Sequence, residues 1–324
     1  METVLLGRSG IRASALAFGT DLIGSRISEE TSVRLLDNFV ENGGSLIDTG
    51  NFYASWIPGC QGGESETVIG RWIKLRGNRD RVLLSTKVGF DYPGCAGGLT
   101  AAEIERECEK SLKRLQTDVI DLYYAHRDDR GTPLEETMQA FHRLISAGKV
   151  RAVGASNLST WRIALTNLVS RSTGWIGYSV VEQRYTYLRP RHGADFGPQV
   201  FLGDEMKDYA KTNEIALIGY SVLLRGSYTR PEIELPAQFA GPDSNERLKM
   251  LDTISAEAAC SRNQVVIAWM RQSDPRILPI IAASKIEQLA ENIRALKVKL
   301  TDGQMRRLNT AGNAVIGQAW LQPT

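Results

Sequence analysis

The chain has 324 residues, of which 42% are hydrophobic and 23% charged, and its formal net charge at pH 7 is +2. This ordinary globular composition excludes an intrinsically disordered or low-complexity protein. The near-neutral charge gives no basic field for nucleic acid, so we expect no nucleic-acid partner, although a local basic pocket for a phosphate stays open.

The cysteines and the N-terminus indicate a reduced protein inside the cell. Cys60, Cys95, Cys108 and Cys260 form no C-x-x-C pair and match no zinc-binding spacing, so we expect free thiols and no metal site. The opening METVLLGRSGIRASAL lacks the charged and then apolar pattern of a signal peptide. No run reaches the roughly 20 apolar residues that a membrane helix needs, so we expect a cytoplasmic protein without membrane association.

Short apolar runs alternate with helical patterns along the chain. The predicted strands are, in chain order, 16–19, 45–49, 82–87, 119–126, 150–156, 178–183, 215–221 and 278–284. Each is a continuous apolar run rather than an alternating one, which is typical of parallel strands covered on both faces. The pattern therefore predicts eight consecutive βα units.

Eight βα units predict an α/β fold of the (β/α)8 barrel type, with one domain over residues 1–324. The opening Val4–Arg12 predicts a short β-hairpin with Gly7 and Gly10 in its turn, and we expect a helical extension at the C-terminus. The Gly- and Pro-containing segment 222–245 predicts a long βα loop. A doubly wound sheet is disfavoured, since no G-x-G-x-x-G motif follows the first strand.

Three neighbouring strands of this barrel end in ionisable side chains. Asp48, Lys87 and His126 close strands two, three and four, at the face where barrel enzymes carry their active sites. Tyr53 lies five residues past Asp48, near enough for its loop to fold back over the strand ends. Each residue alone is equally explained as a helix cap, a solvated charge or a packing side chain. Their shared location favours a catalytic group.

The residue types in this group predict a proton donor. A phenol has an ordinary pKa of about 10, and a nearby ammonium is expected to lower it. Asp48 would keep Lys87 charged, so that Tyr53 could protonate a developing alkoxide. His126 would orient or polarise the carbonyl group.

The ends of the last two strands predict a phosphate site, because barrels often bind phosphate with the loops that follow strands seven and eight. Ser221 and Arg225 follow strand seven, and Ser284 and Lys285 follow strand eight. Ser284 is equally explained as the N-cap of the next helix, whereas a cap alone does not need the charge of Lys285. Tyr220 closes strand seven with a flat face suited to stacking on a nicotinamide or another planar ring.

These segments, in this order, resemble the aldo-keto reductases over nearly the whole chain. The N-terminal hairpin and first strand of that family are similar to GRSGIRASALAFGT, and its Asp, Tyr, Lys and His segments to SLIDTGNFYA, STKVG and DLYYAH. The family's later cofactor-binding segments resemble VRAVGASNLS, GYSVL and IAASKIEQLAENIRAL. Agreement over so many ordered motifs is highly specific.

The resemblance implies a reductase of aldehydes or ketones, with Asp48, Tyr53, Lys87 and His126 as its catalytic tetrad. It further implies that Lys285 beside Ser284 binds a 2′-phosphate, which favours NADP(H) as the cofactor. The residues implied to bind the cofactor are Thr20, Asp48, Ser156, Asn157, Gln183, Tyr220, Ser221, Leu223, Arg225, Ser284, Lys285, Gln288, Glu291 and Asn292.

Departures from the family pattern concern the loops around the site. Gly50 replaces the usual Ala after Asp48-Thr49, and Val222 replaces the usual Pro after strand seven. The loop after His126 carries charges where a Pro is common. Trp56, Tyr92 and Arg127 are the candidate substrate contacts, and the expected partner is a small carbonyl compound whose identity the loops do not specify.

Two other functions compete with this reading. Barrels of the same family also occur as NADP(H)-binding regulatory subunits of membrane channels, with little turnover. A barrel hydrolase would need two facing strand-end carboxylates, and Asp48 is the one that the sequence clearly places. The oligomeric state stays open, with a monomer as the family default.

Overall fold

Eight parallel strands form a closed barrel in the computed structural model, which describes residues 1–313. A short antiparallel hairpin of β1 (Thr3–Leu5) and β2 (Arg12–Ser14) precedes the barrel. The barrel strands are β3 (Ala17–Gly19), β4 (Leu46–Asp48), β5 (Leu83–Val88), β6 (Ile120–Ala125), β7 (Val150–Ser156), β8 (Val180–Arg184), β9 (Ala216–Tyr220) and β10 (Ile277–Ile281). Since β10 pairs with both β9 and β3, the barrel has no free edge. The predicted hairpin and all eight predicted strands are confirmed.

Ten α-helices are described, and those between the strands cover the outside of the barrel. They are α1 (Glu29–Glu41), α2 (Glu64–Arg76), α3 (Ala101–Leu115), α4 (Leu134–Ser146), α5 (Thr160–Thr173), α6 (Asp204–Thr212), α7 (Pro242–Glu257), α8 (Arg262–Gln272), α9 (Ile286–Arg294) and α10 (Asp302–Thr310). The predicted C-terminal extension is α10. Within residues 1–313, no helix is long and apolar enough to cross a membrane.

Helix α1 shows how a helix is fixed on the barrel. The Ser28 hydroxyl accepts a hydrogen bond from the Thr31 N–H at 3.2 Å and so caps the first turn. Phe39 on its buried face stacks on Phe18 of β3, with ring centroids 5.4 Å apart. The apolar period of the helix therefore sets which face meets the strands.

The barrel interior is layered, because side chains alternate in and out along each strand. The lowest layers are apolar and include Leu46, Leu122 and Val180, sealed from below by hairpin residues such as Leu6. The next inward positions on β4 and β8 are two residues further along and are ionisable. An apolar floor thus lies under a polar layer at the C-terminal face.

The Tyr124 side chain crosses this interior and has room to do so because Gly154 on β7 has no side chain. A Cβ at Gly154 would lie 2.4 Å from the Tyr124 ring and 3.0 Å from the carbonyl oxygen of Val180. Both neighbours are fully buried, so neither has room to move away.

We expect Gly154→Ala to lower the free energy of unfolding by about 1–3 kcal/mol through overpacking. Urea denaturation would measure it. Gly203→Ala is the matched control, because Gly203 has no atom within 4 Å of its Cβ position and an ordinary φ of −93°. Restricting the unfolded chain normally makes Gly→Ala stabilising, so a gain in stability at position 154 would contradict the packing argument.

Candidate active site

Lys87 is the centre of a buried cluster at the C-terminal end of the barrel. Its ammonium donates to both carboxylate oxygens of Asp48 at 2.6 Å and to the Thr49 carbonyl oxygen at 2.9 Å. It also donates to the hydroxyl oxygen of Tyr53 at 2.9 Å. The Lys87 side chain is 0% exposed, so these acceptors must replace the water that a charged amine would otherwise bind.

Asp48 is held in place by hydroxyl groups from the neighbouring elements. The Ser85 hydroxyl donates to its Oδ1 at 2.8 Å, and the Thr20 hydroxyl donates to its backbone carbonyl at 2.7 Å. Thr20 in turn accepts a hydrogen bond from Ser65 at 2.7 Å and is fully buried. The structure therefore places Thr20, predicted as a cofactor ligand, in the support of the Asp48 strand end.

The pKa of Tyr53 departs from the sequence prediction. Enclosure in the barrel mouth and the negative charge of Asp48, whose Oδ2 lies 3.3 Å from the hydroxyl, raise the pKa of Tyr53 well above its usual value. The predicted lowering by Lys87 is wrong for this structure, because burial and several carboxylates outweigh one ammonium. Tyr53 is a neutral phenol over the whole physiological pH range.

His126 is an uncharged imidazole among aromatic rings. Its ring centroid lies 4.8 Å from that of Phe90, 5.1 Å from that of Phe52 and 5.9 Å from that of Tyr53. Burial and the nearby positive charge of Lys87 lower the pKa of His126 well below its usual value. Its buried Nδ1 has no hydrogen-bond partner among the described residues. The four predicted catalytic residues are thus brought together, with the charges confined to Asp48 and Lys87.

Phe52, Trp56 and Phe90 form one side of the site, which we call the aromatic wall. The Phe52 ring stacks on Phe90 at a centroid distance of 4.6 Å and meets Trp56 at 5.1 Å. Trp56 is 49% exposed and so forms the outer part of the wall. Sequence reasoning named Trp56 and missed the other two, although both are aromatic residues in the loops after strands two and three.

Of the other two predicted substrate contacts, one borders the aromatic wall. The Arg127 guanidinium lies 5.3 Å from the Phe90 ring centre, and one of its nitrogens is 3.7 Å from the Asp91 carboxylate. Tyr92 instead gives its hydroxyl proton to Glu107, which also accepts hydrogen bonds from Asn51 and Lys110. The Tyr92 hydroxyl is therefore engaged within the chain, and a substrate contact by Tyr92 stays a prediction.

The ends of β7, β8 and β9 gather the residues predicted to hold a carboxamide. Asn157 donates to the His126 carbonyl at 2.9 Å and accepts from the Tyr220 hydroxyl at 2.7 Å. Gln183 donates to the Leu158 carbonyl at 2.6 Å, whereas its buried Oε1 has no partner among the described residues. Since an unpaired buried acceptor is costly, this oxygen fits the N–H of a ligand such as a primary carboxamide. Ser156, also predicted here, is buried beside Asn157 and accepts from its Nδ2 at 3.0 Å.

The loop after β9 has three non-glycine residues in the left-handed backbone region. Ser221, Leu224 and Arg225 have φ values of +57°, +47° and +57°, in the left-handed region that non-glycine residues rarely adopt. Such turns direct successive N–H groups into a concave surface. Leu223, between them, is half-buried, and Arg225 is exposed. The N–H groups of Leu224 and Gly226 donate to the carbonyl oxygens of Ser221 and Leu223 at 3.2 and 2.7 Å, so the turn is closed by its own backbone. A phosphate site in this loop stays a prediction that rests on the exposed charge of Arg225.

At the start of α9, the predicted cap is displaced by one residue. The N-cap position belongs to Lys285, and the Ser284 hydroxyl donates to the side chain of Gln288 at 3.2 Å. Ser284 as an N-cap is therefore wrong, because its hydroxyl points along the helix to Gln288 and not to a backbone N–H. Both Ser284 and Lys285 are exposed, and Lys285 has no ion pair within residues 1–313.

The remaining two predicted adenosine contacts help to fix α9. Glu291 accepts a hydrogen bond from Ser261 at 2.6 Å, and the buried Asn292 donates to the Ala282 carbonyl at 3.4 Å. One carboxylate oxygen of Glu291 and the side-chain N–H of Asn292 are therefore engaged within the chain. The exposed side of this predicted subsite is therefore formed by Ser284, Lys285 and Gln288.

The aldo/keto reductase family model matches residues 15–313. The chain belongs to the aldo/keto reductase family. It is 31% identical to the norsolorinic acid reductase stcV of Emericella nidulans, over 93% of this chain and 79% of that protein. It is likewise 31% identical to the uncharacterized oxidoreductase YrpG of Bacillus subtilis, over 95% of each chain. AAD14 of Saccharomyces cerevisiae, provisionally named an aryl-alcohol dehydrogenase, is 30% identical over 95% of this chain and 85% of its own. The chain is accordingly an oxidoreductase.

Glu182 is an ionisable residue of the site that sequence reasoning missed. It is buried on β8 with its Oε1 3.4 Å from Lys87 Nζ, and its Oε2 has no partner among the described residues. Burial and the charge of Asp48 raise the pKa of Glu182 to about 8. Besides Asp48, which the sequence clearly placed, a second carboxyl group therefore lies in the barrel interior. Both carboxyl groups face one ammonium, which is not the arrangement of a hydrolytic pair around a substrate.

The departure of Gly50 from the family's usual Ala has a steric meaning. A Cβ at Gly50 would lie 3.0 Å from two ring atoms of Tyr53, closer than ordinary van der Waals contact. The glycine therefore lets the Tyr53 ring approach the backbone of its own loop.

We expect Gly50→Ala to displace the Tyr53 ring by a few tenths of an ångström and to lower kcat for carbonyl reduction by about tenfold, because catalysis depends steeply on position. Steady-state kinetics would measure this, with cofactor affinity expected to stay the same. Gly203→Ala again serves as the control. A Gly50→Ala protein with the wild-type kcat would show that the loop absorbs the methyl group without moving Tyr53.

Proposed function

We propose that this oxidoreductase reduces the carbonyl group of an aldehyde or ketone to an alcohol, with NADPH as hydride donor and Tyr53 as general acid. The observation that carries this proposal is the Lys87 ammonium, which bridges Asp48 and the Tyr53 hydroxyl at the barrel mouth. The family membership supports the reaction class.

In this mechanism Tyr53 holds the proton and gives it to the carbonyl oxygen. When bound, the cofactor supplies the hydride. The raised pKa of Tyr53 keeps the phenol protonated until negative charge develops on the substrate oxygen, which is a far stronger base than a phenolate. Lys87 then stabilises the phenolate through the existing 2.9 Å hydrogen bond, and Asp48 keeps Lys87 charged. The neutral His126 imidazole positions the carbonyl oxygen.

The residues that would hold the cofactor lie on the other half of the barrel mouth. Ser156, Asn157 and the free Oε1 of Gln183 would bind a carboxamide, and Tyr220 would stack on the nicotinamide ring. The pyrophosphate would lie against the loop of Ser221, Leu223 and Arg225. The adenosine end would lie against Ser284, Lys285, Gln288, Glu291 and Asn292.

The aromatic wall supports a carbonyl compound with an aromatic ring as the substrate class. Its rings line the side of the site that holds His126, and Trp56 extends the wall outward. Flat aromatic groups gain both burial and stacking against such a surface. The aryl-alcohol name of one relative points the same way.

Tyr53→Phe should lower kcat for the reduction of aromatic aldehydes and ketones by at least about a hundredfold, because it removes the general acid. NADPH oxidation over a panel of aromatic and aliphatic carbonyl compounds would measure this, with NADPH binding followed by fluorescence quenching. Tyr209→Phe, at a half-buried tyrosine of the outer helix α6, is the matched control.

Three outcomes of that experiment separate the possible functions. Turnover that Tyr53→Phe abolishes while NADPH still binds supports the reductase. Tight NADPH binding without turnover across the panel favours the regulatory subunit instead. A protein that does not bind NADPH contradicts the proposal altogether.

Lys285→Ala should weaken NADPH binding by about tenfold, or about 1.4 kcal/mol, and leave NADH binding unchanged. The reason is that the exposed ammonium has no ion pair within the described residues and is available for a 2′-phosphate. Titration of both cofactors would measure the two affinities. Lys299→Ala, also at an exposed lysine, controls for the loss of one surface charge. Equal losses for NADPH and NADH would exclude a 2′-phosphate contact.

A further inference from the structure

Glu182 is a buried acid that the proposed mechanism does not use. It points into the barrel, two positions past Val180 of the apolar floor. On β7, the neighbouring strand, the residue paired with Glu182 is Ser156, which carries no titratable group. The titratable groups that face Glu182 from the other elements are Asp48 of β4, Lys87 of β5, Tyr124 of β6, Tyr220 of β9 and Tyr53 of the loop after β4.

Lys87 has fewer protons than it has acceptors. An ammonium carries three N–H protons. Asp48 and the Thr49 carbonyl oxygen take two of them, with donor–acceptor distances of 2.6 and 2.9 Å. The third is donated to Tyr53 Oη at 2.9 Å, and Glu182 Oε1 lies 3.4 Å from the same nitrogen as the next acceptor. Tyr53 and Glu182 therefore compete for one hydrogen bond.

The outcome of this competition depends on the charge of Glu182. A neutral carboxyl is a weak acceptor, so the third proton stays with Tyr53. A carboxylate is a stronger acceptor for the same proton, because hydrogen bonds between ionised groups are about twice as strong as neutral ones. Its charge also disfavours the phenolate that Tyr53 must become when it gives up its proton.

We propose that Glu182 is a positioning residue whose protonation state decides whether Lys87 supports Tyr53 as an acid. This inference rests on the proposed function and extends it to the pH dependence of the reduction. With Glu182 protonated, Lys87 stabilises the phenolate and reduction is favoured. With Glu182 ionised, the phenolate is disfavoured, so Tyr53 becomes a weaker acid and reduction slows.

The switch falls in an accessible pH range. Since burial raises the pKa of Glu182 to about 8, the group is mostly neutral at pH 7 and loses its proton as the pH rises. The pKa of Tyr53 is raised and that of His126 is lowered, so neither titrates near this pH. A change in rate at about pH 8 is therefore a signature of Glu182.

Glu182→Gln is the decisive variant, because glutamine keeps the size and the acceptor oxygen and cannot ionise. Wild-type kcat for reduction should fall by about tenfold per pH unit above the pKa of Glu182. Glu182→Gln should equal the wild type near pH 6.5 and hold its reductive kcat through about pH 9.5. Glu182→Met, equally unable to ionise, should share that flat profile and serves if the glutamine protein does not fold.

Glu66→Gln is the matched control. It makes the same chemical change at a buried glutamate that contacts Thr86 and Arg114 and not Lys87. It should keep the wild-type pH profile, whatever it does to stability. NADPH affinity should be the same in all variants, since Glu182 is not placed among the cofactor contacts.

An infrared titration tests the proposal without turnover. The difference between wild type and Glu182→Gln should contain the C=O band of a protonated carboxyl group at pH 6.5, lost near pH 8. A missing band, or identical pH profiles of folded wild type and Glu182→Gln, would overturn the role of Glu182. If the band titrates as expected and no protein reduces any carbonyl compound, it is the proposed function that fails.

Discussion

The fold at the barrel mouth depends on one buried ammonium. Removing a charged amine from water costs several kcal/mol even after the surroundings relax, so Lys87 is tolerable only with acceptors on every side. Asp48 comes from the adjacent strand, the Thr49 carbonyl from the chain directly after it, and Tyr53 from the loop that follows. Ser85, Thr20 and Ser65 then hold Asp48 where Lys87 needs it. The polar network is fixed because each member satisfies another that cannot reach solvent.

Parts of this arrangement could be predicted from sequence because they are local. A continuous apolar run followed by Asp, Lys or His identifies both a buried parallel strand and its catalytic end, as in DLYYAH. Glu182 escaped this reasoning because the same continuity hides which residues point inward, and the register that places it opposite Lys87 is set by strand pairing. Two of the three residues of the aromatic wall were missed for a related reason, since loops bring Phe52 and Phe90 together only in three dimensions. The predicted N-cap of α9 at Ser284 was wrong by one residue, which is the usual uncertainty of a helix boundary.

The wrong direction predicted for the shift of the Tyr53 pKa has a different origin. Sequence reasoning paired the phenol with the nearest expected cation and ignored the dielectric environment. In the folded protein the Tyr53 ring is enclosed, and Asp48, Glu182 and Asp21 all act against its ionisation. The total effect on the Tyr53 pKa is therefore opposite to the effect of Lys87 alone. The direction of such a pKa shift can be worked out only from the folded structure, because the effect of each neighbouring group depends on distance and burial.

A raised pKa suits a proton donor in this setting. A phenol that ionised easily would lose its proton before a substrate arrived, whereas Tyr53 keeps it until an alkoxide begins to form. Once Tyr53 has given up its proton, the resulting phenolate must be stabilised. Lys87 stabilises it through a hydrogen bond that is already in place. The charge of Asp48 already balances that of the Lys87 ammonium. A second ionised carboxylate would therefore make the cluster negative and disfavour the phenolate. The buried site therefore works as an acid as long as Glu182 keeps its proton, which ties the rate of reduction to the net charge of four side chains.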